Sequence, residues 1–110
     1  MISWADFEKI DIRVGTVKEA REFARARKPA FRLLIDFGLE LGSKWSSAQI
    51  TRHYVCEKLI GQQIIAVVNF PPKNIAGFIS ECLVLGIYDE HNEVVLIEPQ
   101  QSVSNGLKIG

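Results

Sequence analysis

The stretch FRLLIDFG, residues 31–38, sets Phe31, Leu33, Ile35 and Phe37 on one side of an extended chain and Arg32 and Asp36 on the other, then stops at a glycine. Two-residue alternation of this kind marks a strand with one face in a core and one in water. Upstream, Ile10, Ile12 and Val14 alternate with Asp11 and Arg13 in the same way. Gly15 interrupts and Val17 resumes in the opposite phase, which predicts a bulge or sharp coil at the glycine and one long strand shared by both halves of a small barrel. Downstream, a polar loop through Gly42, Ser43 and Lys44 leads to a weaker strand over 45–50. The run 64–68 is apolar on both faces, as a central covered strand must be, and Pro71 and Pro72 end it because neither has an N–H to donate. Strands over 79–87, with Leu83 and Leu85 turned to the core, and over 94–97 follow, joined by a hairpin turn at 89–92.

Two helices punctuate this series. Ser3 is placed to cap a short one in which Trp4 and Phe7 share a face, suited to plugging an open end. Thr51 is placed to cap another over 52–60, with Val55, Cys56, Leu59 and Ile60 facing inward and Gly61 as the stop. The resulting class is all-β with short helices. In order, the elements predict a five-stranded OB-fold β-barrel with an N-terminal helix, one helix between strands 3 and 4, and a C-terminal β extension. At 110 residues, 1–110 reads as a single domain.

Hydrophobic residues make up 47% of the chain and charged residues 24%, as in ordinary globular proteins, and no apolar run nears the roughly 18 residues of a membrane span. We expect no membrane association. The first residues have neither the basic start nor the apolar segment of a signal peptide, so a cytoplasmic location is expected. Cys56 and Cys82 belong to no CxxC or Cys/His pattern and read as buried free thiols.

The net charge is zero, but it is unevenly distributed. Lys18, Arg21, Arg25, Arg27, Lys28 and Arg32 face only Glu19 and Glu22 in their segment, whereas from Asn74 onward Lys108 stands alone against Glu81, Asp89, Glu90, Glu93 and Glu98. The basic segment suits either a solvated loop or a local contact with a polyanion. His53 and His91 have no evident nucleophile or carboxylate partner, no glycine-rich loop opens a helix, and Asp11, Asp36 and Glu81 lack metal-loop spacing. We therefore expect no catalytic residue, metal or cofactor. Cations interleaved with aromatics are what single-stranded or looped RNA needs, since phosphates meet charge and bases stack. Arg25, Arg27, Lys28, Phe31 and Arg32 form one such run, and Lys44, Trp45 and Arg52 another. Phe31 is in phase with Leu33 and Ile35 and reads as core; Trp45 suits either role.

Seven segments in order carry a family resemblance: DIRVGTV at 11–17, RKPAFRLLIDFG at 27–38, SSAQIT at 46–51, LIGQQI at 59–64, VVNFPPK at 67–73, ISECLVLG at 79–86 and VSNGLKIG at 103–110. Together they resemble the tRNA-binding OB domain that follows the catalytic part of many methionyl-tRNA synthetases, and above all its freestanding bacterial form, the CsaA-type proteins. The resemblance implies tRNA as partner, a homodimer joined through the terminal elements and, as an alternative, an export-related chaperone that binds unfolded or preprotein segments. Arg13, Asn69, Lys73, Ser80 and Glu81 match the family's positions, while Cys82 and Leu83 depart from its usual Gly-Met. The expected tRNA-binding set is thus Arg13, Arg25, Arg27, Lys28, Arg32, Lys44, Arg52, Asn69, Lys73, Ser80 and Glu81.

Overall fold

The computed structural model describes residues 1–110. The short helix α1 (Trp4–Glu8) starts where expected: the Asp6 N–H donates to Ser3 Oγ and the Ser3 N–H to the Asp6 carboxylate, both at 3.1 Å, a reciprocal capping box. α1 has no fully buried residue, and only its Phe7 is half-buried. β1 (Ile12–Glu22) and β2 (Phe31–Asp36) form an antiparallel pair, followed by a single helical turn α2 (Gly38–Leu41) and β3 (Ser43–Ala48). The helix predicted over 52–60 is only the turn α3 (Cys56–Leu59), entered from extended Val55 rather than capped by Thr51. Its Leu59 is the helical residue that reaches the core.

β4 (Gln63–Val67) and β7 (Leu83–Val84) complete a five-stranded antiparallel sheet in the order β3-β2-β1-β4-β7. Ile64 and Ala66 point into the barrel while Ile65 and Val67 are buried on its other side, the two-sided cover that the apolar run predicts. The interior is filled by Val17, Phe31, Leu33, Ile35, Phe37, Ala48, Ile50, Ile64, Ala66 and Cys82, with Leu59 below them. The fold is an all-β, nearly closed five-stranded barrel with short helices.

Three expectations change. The strand predicted over 79–87 is broken into β6 (Phe78–Ser80), β7 and β8 (Gly86–Tyr88), and β6 pairs with an unforeseen β5 (Lys73–Ile75) in a hairpin turning on Ala76 and Gly77, both at positive φ. Positive φ at both central residues is the tight-hairpin geometry that matches strand twist. Leu83, expected in the core, is exposed, while Cys82 is buried there as read. Gly15 is not the bulge: β1 pairs with β4 without interruption from Ile12 to Thr16, and the slip against β2 falls between Val17 and Glu19. A Cβ at Gly15 would lie 2.6 Å from Ile35 Cγ2 and 2.8 Å from the Phe37 ring, so glycine is needed there for space.

β8 pairs with β9 (Val94–Leu96), and the tail returns to β1. The Val14 N–H donates to the Leu107 carbonyl, and the Gly106 and Ile109 N–H groups donate to the Val14 and Ile12 carbonyls, at 2.8–3.1 Å. The tail therefore partners the half of β1 that β2 does not reach. Gly15→Ala is expected to destabilise the fold by about 1–3 kcal/mol through overpacking. At roughly 4–8 °C per kcal/mol for a domain of this size, that is a clear drop in a thermal melt.

Candidate nucleic-acid interface

The basic loop between β1 and β2 is held at its base by the buried Phe23, whose N–H donates to the Ala30 carbonyl at 3.0 Å. Arg25, Arg27 and Lys28 project from it, exposed, and no carboxylate oxygen lies within ion-pair distance of any of them. Beside the loop is an open cleft of about 750 Å³, with Phe23, Pro29, Tyr54 and Cys56 in its lining and Arg21 and Arg27 among its polar residues. Exposed Arg52 follows on the adjoining turn at 51–53. Burial pushes the Cys56 thiol up from its ordinary value, and that of Cys82 to about 11.

His53 does have a carboxylate partner, contrary to expectation. Its Nε2 lies 2.7 Å from Asp89 Oδ2, and the hydroxyl of neighbouring Tyr54 accepts the Leu96 N–H at 2.8 Å. Thirty-six residues of sequence hide the first pair. Asp89 also accepts the His91 and Glu93 N–H groups, and these bonds together with His53 hold its carboxyl below the usual range. The turn at 51–55 is thereby fastened to the β8–β9 hairpin. No group of three or more His, Cys, Asp or Glu side chains is arranged to hold a metal.

Ser80 and Glu81 lie on the seam where the barrel closes. The Glu81 N–H donates to the Trp45 carbonyl at 2.7 Å, and Glu81 Oε1 accepts the Trp45 N–H at 3.0 Å. Ser80 Oγ accepts the Ser47 N–H at 3.1 Å, and Ser46 Oγ donates to the Cys82 carbonyl at 2.8 Å. These side chains thus supply hydrogen bonds that a paired strand would otherwise supply. Lys73, directly across the hairpin from Ser80, is exposed, and Lys44 on β3 is half-buried.

Arg13 and Asn69 meet elsewhere, at Asp11. Arg13 donates to the Asp11 carboxylate and to the Gly106 carbonyl, while Asn69 accepts the Asp11 N–H and donates to the Lys9 carbonyl. The Arg13 hydrogen bond holds the Asp11 carboxyl below its ordinary value and raises the guanidinium in return. Both polar groups tie α1, β1, the end of β4 and the tail together. Arg32 is also held in place: its guanidinium lies over the Phe23 ring, 5.6 Å from the centroid, and donates to the Glu22 carbonyl. Phe23 and Phe78 are the aromatics that sequence reasoning did not single out. Only the three-dimensional meeting of two loops brings them together.

The chain matches the family model "Putative tRNA binding domain" over residues 12–108. It is 36% identical over 108 residues to the methionine–tRNA ligase of Porphyromonas gingivalis, covering 98% of this chain and 15% of that protein; the chain spans about 15% of the length of the curated relatives it matches. Among solved structures it is similar to chaperone CsaA from Bacillus anthracis str. Ames, at 59% identity and TM-score 0.94 over 100% of this chain and 99% of that one. It is also similar to the CsaA chaperone protein of Picrophilus torridus, at 54% identity and TM-score 0.94 over the whole of both chains. The MetRS related protein of Pyrococcus horikoshii matches at 29% identity and TM-score 0.88, over 100% of this chain and 98% of that one.

Glu81→Ala strands the Trp45 N–H at the seam and is expected to cost about 1–3 kcal/mol. Glu81→Gln keeps an acceptor oxygen and should cost far less. Urea unfolding of both variants checks this, and equal losses would mean that the charge rather than the acceptor closes the seam.

Proposed function

This chain belongs to the tRNA-binding domain family, and from that premise we propose that it acts as a non-catalytic, homodimeric protein that binds structured tRNA. The observation that carries the reading, beside the family match over 12–108, is the row of exposed cations without ion-pair partners at Arg25, Arg27, Lys28 and Arg52. A cation with no internal carboxylate has no ion pair to break when it meets a phosphate, and each such contact releases condensed counterions. Lys73 and Lys44 extend this charge toward the seam. Arg13, Asn69, Ser80 and Glu81 enter the proposal as residues that shape the surface, because their polar atoms are already engaged within the fold. Arg32 stands beside them as a guanidinium plane fixed over Phe23, its buried Nε without a hydrogen-bond partner.

The dimer is inferred from apolar side chains left in water at the chain ends. Trp4 is 79% exposed and Leu107 53%, and Ile2, Trp4, Phe7 and Gly110 line one depression. Uncovered apolar surface of this kind is expected at a subunit interface, and pairing would present two basic loops to one RNA. A second reading, a chaperone for unfolded or preprotein segments, is supported by the same exposed apolar groups and by the names of the two CsaA structures.

Filter binding of bulk tRNA across a salt series tests the first reading. Tight binding at low salt should weaken steeply as salt rises, and replacing Arg25, Arg27 and Lys28 by alanine should flatten the log–log slope by about 0.7–0.9 for each phosphate that is no longer neutralised. No binding at low salt would overturn it. Sedimentation of a Trp4→Asp, Ile109→Asp variant is expected to yield monomers. Arg27→Ala with Lys28→Ala should leave suppression of aggregation of an unfolded apolar protein intact while tRNA binding falls; loss of both would place RNA and peptide on one face.

A further inference from the structure

Strand register assembles a surface on the outside of the barrel that the basic loop alone does not explain. After the slip at Lys18, Glu19 pairs with Leu34 and Arg21 with Arg32, and these in turn pair with Trp45 and Ser47 of β3. At one border of this face stands Phe23, at the root of the basic loop. At the other stands Phe78, on the first strand position after the Ala76-Gly77 turn. The two loops meet across it: the Phe23 and Phe78 rings are 5.3 Å apart edge to face, and the Phe78 and Trp45 rings 5.8 Å apart edge to face. Arg32 lies over the Phe23 ring. The order is Arg32, Phe23, Phe78, Trp45, a row of planar groups drawn from four different segments. Phe23 is buried, but Phe78 and Trp45 stay half-exposed.

We propose that Trp45 and Phe78 form a stacking shelf for an unpaired base of bound RNA, continuing this row; the inference rests on the tRNA-binding reading above. Charge selects the occupant. Arg25, Arg27 and Lys28 stand on the loop that Phe23 anchors, and Lys73 stands on the hairpin that carries Phe78. Of the nearby acids, Glu19 accepts from Arg21 and Glu81 from the Trp45 N–H, while Glu22 beside Phe23 stays exposed. A strand of RNA is the ligand that offers a planar, polarisable ring and a negative charge at the spacing of one nucleotide, so that cations take its phosphates while the shelf takes its base. An apolar peptide would cover Trp45 and Phe78 but leave the flanking cations unmatched. The shelf is also rigid. The Trp45 backbone is held on both polar groups by Glu81, and the Phe78 strand is held by the hairpin and by the Ser80 bond to Ser47. A base that docks there meets side chains already in place, so little further ordering opposes it.

The chain has two tryptophans, so Trp4→Phe leaves Trp45 as the sole tryptophan emitter without touching the shelf. In this variant, saturation with bulk tRNA is expected to quench the tryptophan fluorescence. Trp45→Leu and Phe78→Leu keep apolar bulk but remove the ring, and each should weaken tRNA binding by about one order of magnitude or more while leaving the salt slope of wild type unchanged. If the Trp4→Phe variant binds tRNA as wild type does but its fluorescence does not move, or the folded leucine variants bind within about twofold of wild type, the shelf is overturned and tRNA binding stands. A weakening accompanied by a flattened slope also overturns it, since that marks fewer neutralised phosphates. If wild type fails to bind tRNA at low salt, both readings fall together.

Discussion

The barrel depends on a closure that regular strand pairing does not provide. β3 and β7 are the two ends of the sheet, and an open end leaves N–H and C=O groups unpaired. Here the gap is bridged at Trp45, Ser46 and Ser47 by Glu81, Cys82 and Ser80, with one backbone bond and four that use a side chain. Using side chains lets the chain around Ser80 to Cys82 depart from a strand and turn the β5–β6 hairpin outward. The same closure that seals the core therefore places Phe78 and Lys73 on the outside.

A second constraint is that β1 serves two sets of partners. Its first half pairs with β4 and its second with β2, and the change of partner leaves one edge of Ile12 to Val14 uncovered. The tail fills that edge through Gly106 to Ile109, with Asn105 accepting from Thr16 and Gln63. Gly106 is necessary at this crossing: its φ is +91°, and a Cβ would meet the Phe37 carbonyl oxygen at 2.3 Å. Pinning the tail this way brings Leu107 and Ile109 to the surface near α1 instead of hiding them. The apolar surface at the chain ends is thus a consequence of how the barrel's first strand is satisfied.

Much of this was legible in the residues, and the parts that were not share a cause. The alternation of Phe31, Leu33, Ile35 and Phe37 and the two-sided apolar run at 64–68 read correctly because period and burial there come from the strand alone. The Ser3 cap read correctly because its partner is three residues away. What misled were features whose reason lies across the fold. Gly15 looks like a bulge in one dimension, but the side chains of Ile35 and Phe37 explain it. Leu83 turns outward because the seam, and not local alternation, sets the phase after Ser80. His53 seemed unpartnered because Asp89 is distant in sequence, and α3 is short because turn 51–55 is fastened to the β8–β9 hairpin by His53 and Tyr54 rather than wound into helix. Of the candidate site, the exposed cations were visible as charge, but the role of each polar match was not.

That last difference bears on how such a surface would meet RNA under the proposed function. A polar group already bonded within the fold adds affinity only by exchanging one partner for another, with a net gain near zero. An unpaired, solvated cation gains from phosphate through counterion release, without regard to sequence. In this fold the two kinds are spatially divided: Ser80 and Glu81 close the seam, Asn69 and Arg13 tie the far end, and Arg25, Arg27, Lys28 and Arg52 stand free in solvent. Free cations by themselves would bind any polyanion alike. Under the proposed function, discrimination would then come from shape, meaning where the frame sets those charges relative to the aromatic row of Phe23, Phe78 and Trp45, a spacing that the closure of the barrel holds.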